Sequence, residues 1–185
     1  MKLNLGCGMN RKADWHNVDK YPNCNPDELV DLERFPWPWR DGSADEVLFN
    51  HSLEHMGQAP DVFIGIMREL WRVCAPAALV QINVPDPRHD HFFGDPTHVR
   101  PVTFEMLNLF NQRLNRQWID AGAANTPLGL IHEINFEVES HVRILEEPWA
   151  TMHQTKQITV ADVDAAARKY NNVVQAHHFL LVAIK

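Results

Sequence analysis

The chain has 185 residues, of which 45% are hydrophobic, and this suits one globular domain with a core of its own. It carries 24 acidic against 17 basic residues and a formal net charge of −7, which argues against a general nucleic-acid binder. Its three cysteines are scattered and signal neither a disulfide framework nor a zinc knuckle. No apolar run is long enough to span a membrane and no signal-peptide pattern opens the sequence, so we expect a cytoplasmic protein without membrane association.

Short strands separated by turns are predicted over the first 50 residues. In chain order they lie at Lys2–Leu5, His16–Asp19, residues 30–32 and residues 45–50. The spacing of apolar residues then predicts a helix over residues 62–73, which begins near Pro60 because proline is favoured at an early helical position. A buried strand over residues 78–84 follows that helix.

The second half of the chain gives weaker signals. Residues 86–101 form a predicted loop rich in His, Asp and Pro, and Thr103 is the expected N-cap of a helix over residues 103–111. A long alternating strand is predicted at residues 134–145, a helix at 159–170 and a final strand at 177–185. Together the elements predict a single α/β domain over residues 1–185, with a Rossmann-like, doubly wound, mostly parallel sheet and an antiparallel C-terminal edge strand.

A Gly-x-Gly turn follows the first strand at Gly6 and Gly8. Such a turn lets a ligand approach the backbone closely, and its free N–H groups can receive a carboxylate or phosphate. Arg11 stands where the dinucleotide fingerprint has its third glycine, which disfavours a pyrophosphate site. Asp19, at the end of the second strand, is placed to accept hydrogen bonds from ribose hydroxyls. The alternative is an ordinary tight turn followed by a solvated acid.

Several segments, taken in order, resemble the class I S-adenosylmethionine-dependent methyltransferases over residues 2–110. They are Leu3-Asn4-Leu5-Gly6-Cys7-Gly8, Asn17-Val18-Asp19, Asp31-Leu32, Phe35-Pro36, Asp41-Gly42-Ser43, Asp45-Glu46-Val47, His51-Ser52-Leu53-Glu54-His55, Met67-Arg68-Glu69-Leu70-Trp71-Arg72-Val73 and Asn83-Val84-Pro85. The chain departs from the family where the usual Pro-Gly-Gly turn is Pro76-Ala77-Ala78. It departs again between Gly6 and Asp19, an interval shorter than the roughly 20 residues of a full dinucleotide unit. We therefore expect the first crossover helix to be shortened to a turn or two, or replaced by a loop through Asn10 to Trp15.

The resemblance implies S-adenosylmethionine as the cofactor and assigns residues to it. The backbone of the Gly turn would hold the methionine part, Asp19 the ribose, Asp31 the adenine amino group and Leu32 the adenine face, while Asn50 and His51 would close over the bound molecule. The implied cofactor-binding residues are Leu5, Gly6, Cys7, Gly8, Asp19, Asp31, Leu32, Asn50 and His51.

Methyl transfer from a sulfonium needs mainly the positioning of a nucleophile, and a base only where the acceptor carries a proton to lose. His51 and His55 flank Glu54 near the expected methyl position. We predict His55 as the general base, with Glu54 orienting it. The alternative is that both residues are structural.

A second group of histidines follows the fifth predicted strand, where ligands of open α/β sheets gather. We predict that His91, His98 and Arg100 line the acceptor pocket together with His51, with His98 taking part in catalysis. Arg100 is suited to a carboxylate or phosphate on the acceptor. Alternatives are a plain loop, or a divalent metal on His89, His91, Asp95 and His98. Because this spacing matches no standard zinc motif, we assign no metal from the sequence.

The leading functional hypothesis is therefore a methyltransferase that acts on an unidentified small-molecule acceptor. One alternative is a regulatory protein that binds S-adenosylmethionine without turnover. Another is an NAD-linked oxidoreductase on a related sheet, which Arg11 disfavours. We expect a small-molecule partner and no general nucleic-acid binding, and we make no prediction of oligomeric state.

Overall fold

Seven strands form one sheet in the computed structural model, which describes residues 1–185. The strands are β1 (Lys2–Leu5), β2 (His16–Asp19), β3 (Glu28–Leu29), β4 (Ala44–Asn50), β5 (Cys74–Pro85), β6 (Phe136–Leu145) and β7 (Val174–Ala183). Their spatial order is β3-β2-β1-β4-β5-β7-β6. β7 runs antiparallel to β5 and β6, and every other neighbouring pair is parallel. The predicted α/β fold is confirmed, and the antiparallel C-terminal strand lies one place inside the edge because β6 pairs on its outer side.

Seven α-helices follow β4, and two 3₁₀ turns lie at Pro22–Cys24 and Leu53–His55. The helices are α1 (Pro60–Val73), α2 (Asp90–Phe93), α3 (Phe104–Asn108), α4 (Gln112–Asp120), α5 (Leu128–Ile131), α6 (Trp149–Gln154) and α7 (Val160–Lys169). None of them combines the length and hydrophobicity needed to cross a membrane.

The main core lies between α1 and one face of the sheet. An apolar stripe on α1 is buried, and it consists of Phe63, Ile66, Met67, Leu70 and Val73. Alternate residues of β1, β4, β5 and β7 complete the same cluster, because successive side chains of a strand point to opposite faces. Each fully buried aliphatic or aromatic side chain contributes about 1.5–3 kcal/mol relative to its exposed state. This packing fixes the parallel strands whose carboxyl ends carry the candidate site.

The connection from β1 to β2 contains no helix, so of the two predicted forms the structure shows the loop. Two buried asparagines, Asn4 and Asn17, form hydrogen bonds with backbone groups of this loop instead. The Asn4 amide donates to the Asn10 carbonyl at 3.1 Å and to Asn17 Oδ1 at 2.9 Å. Asn17 in turn bonds both the N–H and the carbonyl of Lys12. Because β1 and β2 pair in parallel, with Leu5 opposite Val18, their carboxyl ends lie side by side.

Several element bounds differ from the sequence prediction. β3 ends at Leu29, so the predicted strand at residues 30–32 is irregular chain. The predicted helix at residues 103–111 is α3 alone, with Thr103 as its N-cap, and Asn111 caps the separate helix α4 that the sequence did not predict. Ala77 adopts φ +61° at an irregularity near the start of β5, so this position keeps the left-handed backbone without a glycine.

Candidate functional site

The Gly turn at the end of β1 requires glycine at its first position. Gly6 has φ +66°, and a β-carbon added there would lie 2.6 Å from the Ser52 β-carbon. The Ser52 hydroxyl also donates to the Leu5 carbonyl at 2.8 Å, which brings the loop after β4 against this turn. Gly8 has φ +49° and open space around it. The turn is therefore packed against Ser52 at Gly6 and open to a ligand at Gly8.

Asp19 links the turns that follow β1 and β2. Its Oδ2 accepts the Gly8 N–H at 2.8 Å and its Oδ1 accepts the Tyr21 N–H at 2.9 Å. The residue is 7% exposed. A carboxylate has about four acceptor sites, so acceptor capacity remains on each oxygen after these two bonds.

A cavity of about 630 Å³ opens at the carboxyl ends of β1, β2 and β4. It is lined by Gly6, Gly8, Asp19, Lys20, Tyr21, Val30, Asp31, Leu32, Glu33, His51, Ser52, His55, Met56, Thr97 and Val99. Its size falls within the range of small-molecule sites, about 300–1,000 Å³. The Gly turn, Asp19, the Asp31–Leu32 segment, His51 and His55 thus share one cavity. Sequence reasoning assigned no site role to the other lining residues, whose nearness to the recognised motifs was the only available signal: Lys20, Tyr21, Val30, Glu33, Ser52, Met56, Thr97 and Val99.

Three predicted cofactor residues have side chains outside this cavity. Leu5 is fully buried in the core, and Cys7 is 3% exposed with its N–H bonded to the Val18 carbonyl. The Asn50 side chain accepts a hydrogen bond from Asn83 at 3.0 Å across β4 and β5. Leu5 and Cys7 can contribute only backbone to a ligand, and Asn50 supports the strand ends.

Arg100 does not line the cavity. Its guanidinium donates to the carbonyl groups of Gly57 and Gln58 and lies 4.9 Å from the Phe63 ring centre. The backbone N–H of Arg100 also bonds the Glu54 carbonyl at 3.0 Å. The structure therefore places the Arg100 guanidinium in contacts between loops, outside the cavity where a role in acceptor binding was predicted.

His91 also lies outside the cavity lining, exposed and packed against His89 with ring centres 4.3 Å apart. Buried His89 uses both ring nitrogens: Nδ1 accepts the His91 N–H, and Nε2 lies 3.2 Å from Glu146 Oε2. The metal set considered from the sequence therefore loses His89 as a ligand.

Glu54, His55 and His98 meet beside the cavity, although the chain separates the first two from the third by more than 40 positions. The loop that carries His98 packs on the 3₁₀ turn Leu53–His55 because Val99 and Arg100 both donate their N–H to the Glu54 carbonyl. The rings of His55 and His98 lie 4.5 Å apart. His98 itself stands behind His55 and outside the lining of the cavity.

His51 adopts φ +52°, a strained backbone for a residue with a side chain. Its Nδ1 lies 3.5 Å from Glu54 Oε1, beyond the usual hydrogen-bond range. The Glu54 carboxylate nevertheless raises the pKa of His51 above its ordinary value. The imidazole of His51, at the edge of the cavity, is therefore protonated more readily than an ordinary histidine.

No protein-family model matches the chain, and no curated protein sequence matches it significantly. Solved structures match its fold. A SAM-dependent methyltransferase from Archaeoglobus fulgidus is 16% identical with a TM-score of 0.63, over 98% of this chain and 85% of that one. The Haemonchus contortus phosphoethanolamine N-methyltransferase 2, in complex with S-adenosyl-L-methionine, is 11% identical with a TM-score of 0.59, over 100% of this chain and 48% of that one.

A third similar structure is described as the [4+2]-cyclase SpnF; it is 15% identical with a TM-score of 0.55, over 99% of this chain and 75% of that one. Because the structures with this fold include both a methyltransferase and a cyclase, the fold does not identify the reaction, which must be inferred from the site. At these identities the likeness concerns the fold, and it agrees with the resemblance carried by the sequence motifs. The chain therefore has the class I methyltransferase fold.

Proposed function

We propose that the protein binds S-adenosylmethionine and transfers its methyl group to a small-molecule acceptor. One observation carries the proposal: a single cavity joins the Gly turn, the Asp19 carboxylate and the Asp31–Leu32 segment at successive strand ends. This order fits a molecule with an amino-acid tail, a ribose and a base. The similar Haemonchus contortus enzyme is described in complex with this cofactor, which supports the choice.

Each part of the cofactor has a matching group. The open side of the Gly turn allows close approach of the methionine tail to the backbone. The spare acceptor sites on Asp19 suit the two ribose hydroxyls, because Gly8 and Tyr21 occupy only one site on each oxygen. Leu32 offers an apolar contact for the adenine face.

The absence of a helix after Gly8 favours this cofactor over a dinucleotide. A pyrophosphate is normally held at the N-terminus of the first crossover helix, where free N–H groups and the helix dipole meet. Here that segment is a loop, and Arg11 pairs with Asp27 at 2.5 Å. An NAD-linked reaction therefore lacks its usual phosphate site, whereas S-adenosylmethionine needs none.

The acceptor would lie against the face formed by His51, His55 and Met56. The main task of the protein is then to hold the nucleophile in line with the methyl group. Of the two predicted catalytic residues, His55 and His98, only His55 lines the cavity. Its Nδ1 lies 2.8 Å from the Thr97 hydroxyl. Its Nε2 can take a proton from an acceptor that must lose one. His98, which stands behind it, would act by positioning the His55 ring.

The proposal is tested by thermal unfolding with S-adenosylhomocysteine and NAD in parallel, followed by an assay of S-adenosylhomocysteine production over a panel of small acceptors. We expect stabilisation by S-adenosylhomocysteine alone and turnover with at least one acceptor. Stabilisation by NAD alone would contradict the proposal. Tight binding of the sulfonium cofactor with no turnover on any acceptor would favour a regulatory binding protein.

A further inference from the structure

Glu54 is a buried carboxylate without a hydrogen-bond partner. The residue is 1% exposed, and neither side-chain oxygen accepts a hydrogen bond. An unpaired charged group in such a place costs several kcal/mol, so buried carboxylates are normally paired or coordinate a metal. The nearest cationic group is the His51 imidazole, with Nδ1 3.5 Å from Oε1, so both oxygens still have room for a closely bound cation.

The hydrogen bonds around His55 fix its tautomer. The Thr97 hydroxyl donates its proton to Asp95 Oδ1 at 2.6 Å, so it can only accept from His55 Nδ1, 2.8 Å away. His55 Nδ1 therefore carries the proton, and its Nε2 keeps a free lone pair. An imidazole held through the second nitrogen by a neighbouring acceptor is the usual arrangement of a metal-binding histidine.

His98 is held in the same way. Its Nδ1 lies 2.9 Å from the carbonyl oxygen of Phe92, which can only accept, so Nδ1 is protonated and Nε2 is free. The nearest carboxylate oxygen to that nitrogen, Asp95 Oδ2, is 3.9 Å away and outside hydrogen-bond range. Neither His55 nor His98 therefore has an N–H available for Glu54, so neither can supply the hydrogen bond that this carboxylate lacks.

We propose that Glu54, His55 and His98 bind a divalent transition-metal ion beside the cavity. One ligand atom from each residue lies within 4.8 Å of the other two. Metal–ligand bonds of about 2.0–2.2 Å place neighbouring ligands roughly 3–3.5 Å apart, so modest side-chain rotations close the site. Two imidazoles and one carboxylate select a first-row transition metal over Mg²⁺ or Ca²⁺, which prefer oxygen ligands.

Three protein ligands leave coordination positions open, as in catalytic rather than structural metal sites. Because His55 also lines the cavity, those positions are accessible to water or to an oxygen donor in it. A bound metal would occupy His55 Nε2, the nitrogen assigned above to proton transfer, so His55 could act as a base only in the metal-free protein. Metal binding itself does not depend on the proposed methyl transfer.

The test is calorimetric titration of the EDTA-treated, buffer-exchanged protein with Zn²⁺, together with visible absorption after addition of Co²⁺. We expect one strongly bound equivalent and a ligand-field spectrum of low coordination number. Loss of an outer partner weakens metal sites about 10–100-fold, and loss of a ligand costs at least as much. Glu54→Gln and His98→Ala should therefore lose at least about 100-fold in affinity. Thr97→Val should lose about 10–100-fold and Thr97→Ser should recover it.

His153→Ala is the matched control, because this histidine is exposed on α6 away from the cluster. It should leave the affinity and the spectrum unchanged. Absence of a strongly bound equivalent in the wild-type chain would overturn the proposal. Equal affinity in Glu54→Gln, His98→Ala and wild type would also overturn it, because the metal would then sit on other surface histidines. Unfolding measured without metal shows whether each variant is folded, and titration of the same samples with S-adenosylhomocysteine reports separately on the cofactor site.

Discussion

Replacement of Asp19 by alanine is the most direct test of the cofactor site. In the structure this carboxylate accepts one N–H from Gly8 and one from Tyr21 and retains one acceptor site on each oxygen. We assign those two sites to the ribose hydroxyls. Hydrogen bonds to a charged group contribute about 1.5–3 kcal/mol each, and the cost of leaving partners unpaired is about 1–3 kcal/mol. Water can partly replace the carboxylate in an open cavity. We therefore expect cofactor binding to weaken by about 1–3 kcal/mol in total, which is about 5- to 150-fold in Kd.

The assay is calorimetric titration with S-adenosylhomocysteine at a temperature well below the unfolding midpoint of the variant. This precaution matters because the same substitution removes two hydrogen bonds within the protein and lowers its stability. Asp120→Ala, at an exposed carboxylate at the end of α4, is the control and should leave Kd unchanged. An unchanged Kd in folded Asp19→Ala would refute the ribose assignment, and an equal loss in both variants would show that the effect is not local.

Three further substitutions test packing and charge. Gly6→Ala should reduce stability and cofactor binding more than Gly122→Ala, because both residues have positive φ but only the first would clash; urea unfolding and ligand titration measure this. Glu69→Ala should cost about 1–3 kcal/mol in urea unfolding, since it removes the carboxylate 2.7 Å from the Arg72 guanidinium and leaves the Trp37 N–H unpaired, while Asp41 still pairs with Arg72. Burial, aided by the neighbouring histidine, lowers the pKa of His141 from 6.5 to about 4, so the unfolded chain binds the extra proton and stability falls as pH drops through this window. His141→Phe should flatten that fall in urea midpoints measured from pH 7 to pH 4, and an unchanged slope would contradict the assignment to this residue.

Local patterns were enough to place most of the strands and the longest helix, although the third strand was predicted at residues 30–32 and lies at Glu28–Leu29. β1, β2 and α1 follow from alternating or helical spacing of apolar residues and from clear turn signals at their ends. α4 was missed because the stretch from Gln112 to Asp120 is mostly polar and buries only Asn115. Its cap, Asn111, was instead taken as the end of the preceding helix.

The two ends of the candidate site differ in how far they could be predicted. Gly6 and Asp19 are close in the chain and at the ends of adjacent parallel strands, so their meeting follows from the order of β1 and β2. The position of the Arg100 side chain could not be predicted from the residues next to it in the sequence. Its guanidinium finds carbonyl groups at Gly57 and Gln58, and only the folded loops bring those within reach.

What the sequence by itself determined is the α/β fold and the position of the Gly turn and Asp19, because these depend on short-range periodicity and on backbone conformations that few residues adopt. What only the tertiary structure decided is the meeting of Glu54 and His55 with His98. Two backbone hydrogen bonds from the later loop to the Glu54 carbonyl produce it. Such contacts join segments distant along the chain, and backbone groups make them regardless of residue type, so no sequence pattern records them.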